Sequence, residues 1–119
     1  MKKTVVLGAT DNPTRYAYLA AHKLKRFGHP VVPVGLRKGE VAGEKIITDK
    51  EPVEGVDTVT LYVGTRNLHH WYDYIFSLNP KRIIFNPGTE NDELEEKARK
   101  ANIETVNGCT LVMLSTGEY

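Results

Sequence analysis

Within its first thirteen residues the chain passes from a short apolar run of β-forming residues, Thr4 to Leu7, through Gly8 and into Asn12-Pro13. That succession tightly restricts the folds open to it. The run reads as a strand buried on both faces, and glycine closes it. Asparagine is a good helix cap, and proline suits a first helical position because its missing N–H would have no partner there. A helix is therefore predicted to start at Asn12-Pro13. A turn of this kind aims backbone N–H groups and the positive end of a helix dipole at one point, which suits a phosphate. A nucleotide-binding module is the first expectation.

The remaining periodicities extend the pattern. Tyr16, Leu19, Ala20, Leu24 and Phe27 recur at helical spacing as the sheet-facing side, and Gly28 supplies the stop. Val31 to Gly35 is a second strand, joined by a parallel crossover and flawed by Pro33. Leu36 to Gly43 reads as a loop and Glu44 to Thr48 as a small extended segment. Thr58 to Val63 is a third strand, and Asn67 caps a helix with Leu68, Trp71, Tyr72, Ile75 and Leu78 inward, ended by Asn79-Pro80. Arg82 to Phe85 is a fourth strand and Asn86 to Thr89 a turn. A charged helix follows, with Leu94, Ala98 and Ala101 on one side, and Ile103 to Val106 is a fifth strand. Cys109 to Leu114 reads as a closing helix, with strand as the competing reading. Strands alternating with helices predict a Rossmann-like three-layer α/β/α sandwich over residues 1–119, one domain with a mostly parallel five-stranded sheet. Ligands of such sheets sit at the carboxyl ends of the strands. The loops to watch are therefore Gly8 to Tyr16, Gly35 to Lys38, Gly64 to Arg66, Asn86 to Thr89 and Asn107 to Cys109.

Composition removes several function classes. Sixteen basic residues against 15 acidic ones leave a net charge of +1, so no global field suggests nucleic acid. No apolar run is long enough for a signal peptide or a membrane span, and a single cysteine, Cys109, excludes an internal disulfide. A cytoplasmic location is expected. His69 and His70 are adjacent on a helix and so diverge, and His22 and His29 lack a partner, so no metal is expected. Trp71, Tyr72 and Tyr74 are spaced for core packing, any exposed remainder being available to a homodimer contact. Cys109 opens the last helix, a position that can activate a thiol, but its apolar surroundings favour a small packed side chain.

The first loop is not a dinucleotide fingerprint. With Gly8 as the first glycine of G-x-G-x-x-G, the second falls on Thr10 and the third on Pro13. Where that pattern wants an acid for the ribose, at the end of the second strand, the chain has Gly35-Leu36-Arg37-Lys38. Two cations suit an additional phosphate on the ribose, as in NADP or coenzyme A, although a solvated surface pair is the plainer reading.

These residues resemble a known family. Gly8 to Tyr16 (G-A-T-D-N-P-T-R-Y), Val31 to Val34, Gly43 to Lys45, Asn86 to Thr89 and the closing N-G-C-T-L-V-M-L are similar to the small coenzyme A-binding domain, the first domain of the succinyl-CoA synthetase alpha subunit. The resemblance covers nearly the whole chain. It implies that Gly8, Ala9, Thr10, Asn12, Pro13, Thr14 and Arg15 wrap the cofactor pyrophosphate with Tyr16 beside it. It implies further that Val34, Gly35, Arg37 and Lys38 hold the adenosine and its 3′-phosphate, that Val63, Thr65 and Arg66 line the next loop, and that Asn86, Pro87 and Gly88 follow the pantetheine. Where the family often has a second proline motif after its second strand, this chain has Gly35-Leu36-Arg37. The synthetases' phosphohistidine lies in a further domain with no counterpart in these 119 residues, so ligase activity is not carried over.

No serine, histidine and acid group suggests a nucleophile with its base. The expectation is a non-catalytic protein binding a small-molecule nucleotide ligand, coenzyme A or acyl-CoA, rather than an enzyme. The alternatives are an NADP-dependent oxidoreductase or the nucleotide-binding subunit of a larger enzyme.

Overall fold

A computed structural model describes residues 1–119. Five parallel strands form the sheet: β1 (Thr4–Leu7), β2 (Val31–Val34), β5 (Thr58–Leu61), β6 (Arg82–Phe85) and β7 (Glu104–Asn107). Their spatial order is β2-β1-β5-β6-β7, so the chain goes outward to β2 and returns past β1 before continuing. Strand order reverses between β1 and β5, where the register sets Leu7 beside Leu61. A two-stranded hairpin, β3 (Glu40–Val41) and β4 (Glu44–Lys45), lies beyond the edge.

Side-chain alternation along the strands builds two cores. Val5, Leu7, Val59, Leu61, Ile83 and Phe85 face a 3₁₀ helix (Thr65–Trp71) with α2 (Tyr72–Ser77) and α3 (Asp92–Lys100). Val6 and Ile84 face α1 (Tyr16–Arg26) and α4 (Thr110–Thr116). On this second side Thr4, Thr58, Thr60 and Arg82 are also buried. Strands β1, β5 and β6 are buried at every position, which suits a sheet covered on both faces. The three-layer, single-domain expectation is met, and the closing segment is helical.

Local differences have local causes. Helix α1 starts at Tyr16, not Pro13, because the Asn12 Oδ1 accepts the Thr14 N–H at 3.0 Å and its hydroxyl at 2.7 Å, closing a turn ahead of the helix. Arg15 takes the cap position without a side-chain bond. The buried side of α1 is Ala17, Ala20, Ala21 and Leu24. Tyr16, Leu19 and Phe27 stay exposed, since small alanines allow the helix to lie close to the sheet. Residues 40–45 form the hairpin rather than a loop, turning on Ala42 and Gly43, both with positive φ (54° and 80°). The segment expected to start a helix at Asn67 is instead a 3₁₀ helix that begins after Gly64. Tyr74, not Tyr72, joins Leu68, Trp71, Ile75 and Leu78 inside. The rings of His69 and His70 lie 4.0 Å apart rather than diverging, within that tighter helix. Ala101 is exposed beyond α3, and the last strand is shifted one residue later than expected.

Pro33 is accommodated because β2 is an edge strand. Gly35, two residues on, sends its N–H outward to the Ile47 carbonyl at 3.0 Å, so the donor that Pro33 lacks lies on the outer side, away from β1. No helix is long and apolar enough to cross a membrane.

Candidate functional site

Parallel strands place the five loops that follow them in one row along one edge of the sheet, in the order 35–39, 8–15, 62–66, 86–91 and 108–109. Contacts tie each to its neighbour. Gly8 has φ of 97°, and a Cβ there would lie 2.8 Å from the Tyr62 carbonyl carbon, so the first loop is pressed into the reversal point between β1 and β5. A Cβ on Gly35 would lie 2.5 Å from the Ala9 carbonyl oxygen. The Thr65 hydroxyl donates to the Glu90 carbonyl at 2.6 Å, and the Gly108 N–H to the Phe85 carbonyl at 3.2 Å.

Within the first loop the N–H groups of Gly8 and Ala9 both donate to the Val34 carbonyl, at 2.8 and 2.9 Å. They are committed to the fold. The Asn12 N–H reaches the Thr10 hydroxyl at 3.1 Å, and the Arg15 N–H reaches the Asn12 carbonyl at 3.1 Å. Those of Thr10 and Asp11, and of Tyr16, Ala17 and Tyr18 in the first turn of α1, donate to nothing in the protein. The donors open to an anion thus come from the middle of the loop and from the helix start, not from the glycine that begins it.

The floor under the next loops is a buried polar knot. Asn86 is 2 % exposed; its Nδ2 donates to the Thr60 hydroxyl at 2.6 Å and the Leu61 carbonyl at 2.9 Å, while its Oδ1 accepts the Thr110 N–H at 2.9 Å. The Thr60 and Thr110 hydroxyls meet at 2.7 Å, and Thr89 donates its hydroxyl to the Asn86 carbonyl at 2.8 Å. The Tyr62 hydroxyl is buried beside this knot without a hydrogen bond of its own. Burial first, then the nearby Cys109, pushes the Tyr62 phenol well above its ordinary range, so it stays neutral. Cys109 caps α4 and is half-buried.

Exposed charge at the rim comprises four cations and the acids Asp11 and Glu90. Arg15, Arg37, Lys38 and Arg66 are exposed there, and none is paired: both ion pairs of the chain, Arg99–Glu95 and Lys100–Glu96, are within α3. No group of three or more His, Cys, Asp or Glu is arranged to hold a metal.

The structure sorts the residues expected from sequence into builders and groups open to a ligand. Val34 is fully buried and Gly35 buried, so they form the wall. The side chains of Asn12, Thr65 and Asn86 are spent on internal bonds. Thr10 lies half-buried in mid-loop, while Pro13, Thr14, Arg15, Tyr16, Arg37, Lys38, Arg66, Pro87 and Gly88 are exposed along the edge; Val63 is half-buried against the core. Sequence reasoning passed over Thr60, Tyr62 and Thr110. Threonine at alternate positions of an otherwise apolar strand, Thr58 and Thr60, was the available signal for a polar layer.

A family model described as a CoA binding domain matches residues 2–115. A crystal structure of an uncharacterized protein shares 60% identity at a TM-score of 0.98, over 100% of this chain and 98% of that one. A protein of Thermus thermophilus, cell-free ID.343, superposes with a TM-score of 0.88 at 24% identity, over 99% of this chain and 90% of its own. The dinucleotide-forming acetyl-coenzyme A synthetase 1 of Ca. Korarchaeum cryptofilum shares the fold at a TM-score of 0.70 and 19% identity, over 89% of this chain and 25% of that enzyme. Among curated proteins, none matches the chain.

Proposed function

The chain belongs to the CoA-binding domain family, and on that premise we propose that it binds coenzyme A, free or acylated, along the carboxyl edge of its sheet without acting on it chemically. The observation that carries this reading is that the loop seated by Gly8 against Tyr62 at the strand-order reversal leaves the N–H groups of Thr10, Asp11 and the first turn of α1 without partners. The pyrophosphate would lie against these donors and Arg15. Arg37 and Lys38, one loop further out, would take the 3′-phosphate. The pantetheine would run past Val63, Arg66, Pro87 and Gly88 toward Cys109. The binder reading is supported by the polar knot beneath these loops, whose Thr60, Asn86 and Thr110 are hydrogen-bonded to one another.

Calorimetric titration of ligand-stripped protein tests the reading. Coenzyme A is expected to bind, and NADP to bind more weakly, with no absorbance change at the nicotinamide. Failure to bind coenzyme A at millimolar concentration, with the fold intact by circular dichroism, would remove it.

A further inference from the structure

Dinucleotide-binding folds place an acid near the end of the second strand to accept a ribose hydroxyl, and the corresponding stretch here, Gly35 to Lys38, has none. The structure supplies one from the neighbouring loop. A Cβ built on Gly39 would lie 2.8, 3.1 and 3.4 Å from the Oδ2, Cγ and Cβ of Asp11, so this side chain lies lengthwise against the Gly39 backbone. Gly39 has no positive φ to explain its presence, and its three nearest contacts are all Asp11 atoms. With the Gly35–Ala9 contact, this makes a second seam between the loops after β1 and β2. It brings the Asp11 carboxylate against the loop that carries Arg37 and Lys38. The carboxylate nonetheless makes no ion pair and accepts no hydrogen bond in the protein, and it is exposed.

We propose that Asp11 is the ribose-reading residue of this site, accepting the hydroxyl that neighbours the phosphate held by Arg37 and Lys38. The inference rests on the binding reading above and deepens it. A carboxylate on a loop that carries two cations matches a ribose that carries a phosphate on one carbon and a free hydroxyl on the next. The carboxylate accepts from the neutral O–H, and the cations neutralise the phosphate. Gly39 leaves room for the acid to reach this place from a different loop.

The test compares adenosine 3′,5′-bisphosphate with its 2′-deoxy analogue by calorimetry on the full ligand-free chain. The ratio of the two affinities is read, because removing a negative charge next to a phosphate also changes both affinities together. Wild type is expected to prefer the hydroxyl-bearing ligand by roughly tenfold or more, the worth of a charge-assisted bond. Asp11→Ala, which breaks no bond within the fold, is expected to bring the ratio near one. Gly39→Ala, which pushes the carboxylate out of its place, is expected to do the same. A ratio near one in wild type, or a wild-type ratio preserved in either variant, overturns the assignment while leaving the binding reading intact. Absence of binding by adenosine 3′,5′-bisphosphate and by coenzyme A alike would overturn both.

Discussion

Asn86, at the end of β6, holds the first N–H of α4: its side-chain oxygen accepts from Thr110 at 2.9 Å, while its amide nitrogen reaches across to Thr60 on β5. One buried amide therefore fixes the strand ends and the entry of the last helix, and with it the position of Cys109. A mutation there should act on stability before it acts on any ligand.

Asn86→Ala would leave the Thr110 N–H unpaired and remove two further bonds in a buried place. The expected loss is about 2 to 4 kcal/mol, measured by urea denaturation. A loss under about 0.5 kcal/mol, typical of surface substitutions, would contradict the knot.

Gly8→Ala combines a left-handed φ of 97° with a Cβ 2.8 Å from the Tyr62 backbone, which cannot move aside like a flexible side chain. It is expected to cost on the order of 2 kcal/mol or more and to abolish coenzyme A binding even where the variant remains folded. Thermal unfolding together with titration would check both parts, and unchanged affinity in a folded variant would refute the seating of the phosphate loop.

Replacing Arg37 and Lys38 together by alanine should leave stability within about 0.5 kcal/mol, since both side chains are exposed and unpaired. Coenzyme A should bind more weakly by on the order of 1 to 3 kcal/mol, and dephospho-coenzyme A much less so. Equal losses for the two ligands would rule out the 3′-phosphate role.

His29 lies at the opposite end of the sheet, where its Nδ1 accepts the Lys2 N–H at 3.0 Å. Partial burial, then the chain's amino terminus, Lys2 and Arg82, lower its pKa from the ordinary 6.5. The folded state thus prefers neutral imidazole, and the unfolded state binds the proton first as pH falls. The stability contributed by His29 is complete above pH 6.5 and is lost as pH falls from there through the lowered folded value. Denaturation midpoints between pH 7 and pH 5 should fall less steeply in His29→Gln than in wild type.

Much of this molecule is legible in the order of its residues. The apolar runs ending at Leu7, Val34 and Phe85 become strands with those ends, and Gly28, with φ of 86°, ends α1 as its lack of a Cβ allows. Strand and helix periodicities arise from neighbours in sequence, and so does the alternation that determines a layered parallel sheet. The start of α1 was less legible, because Asn12 can equally cap a helix or close a turn on Thr14, and the structure has the turn. The site was legible as a row of loops but not as a set of contacts. Only the tertiary structure decides that the Gly8 and Ala9 N–H groups are spent on Val34, that Asn86 faces inward, and that an acid absent from the second strand reaches its loop from Asp11. Each of these depends on which strands lie side by side. That order is settled by burial and close backbone approach between residues far apart in the chain, which no local pattern encodes.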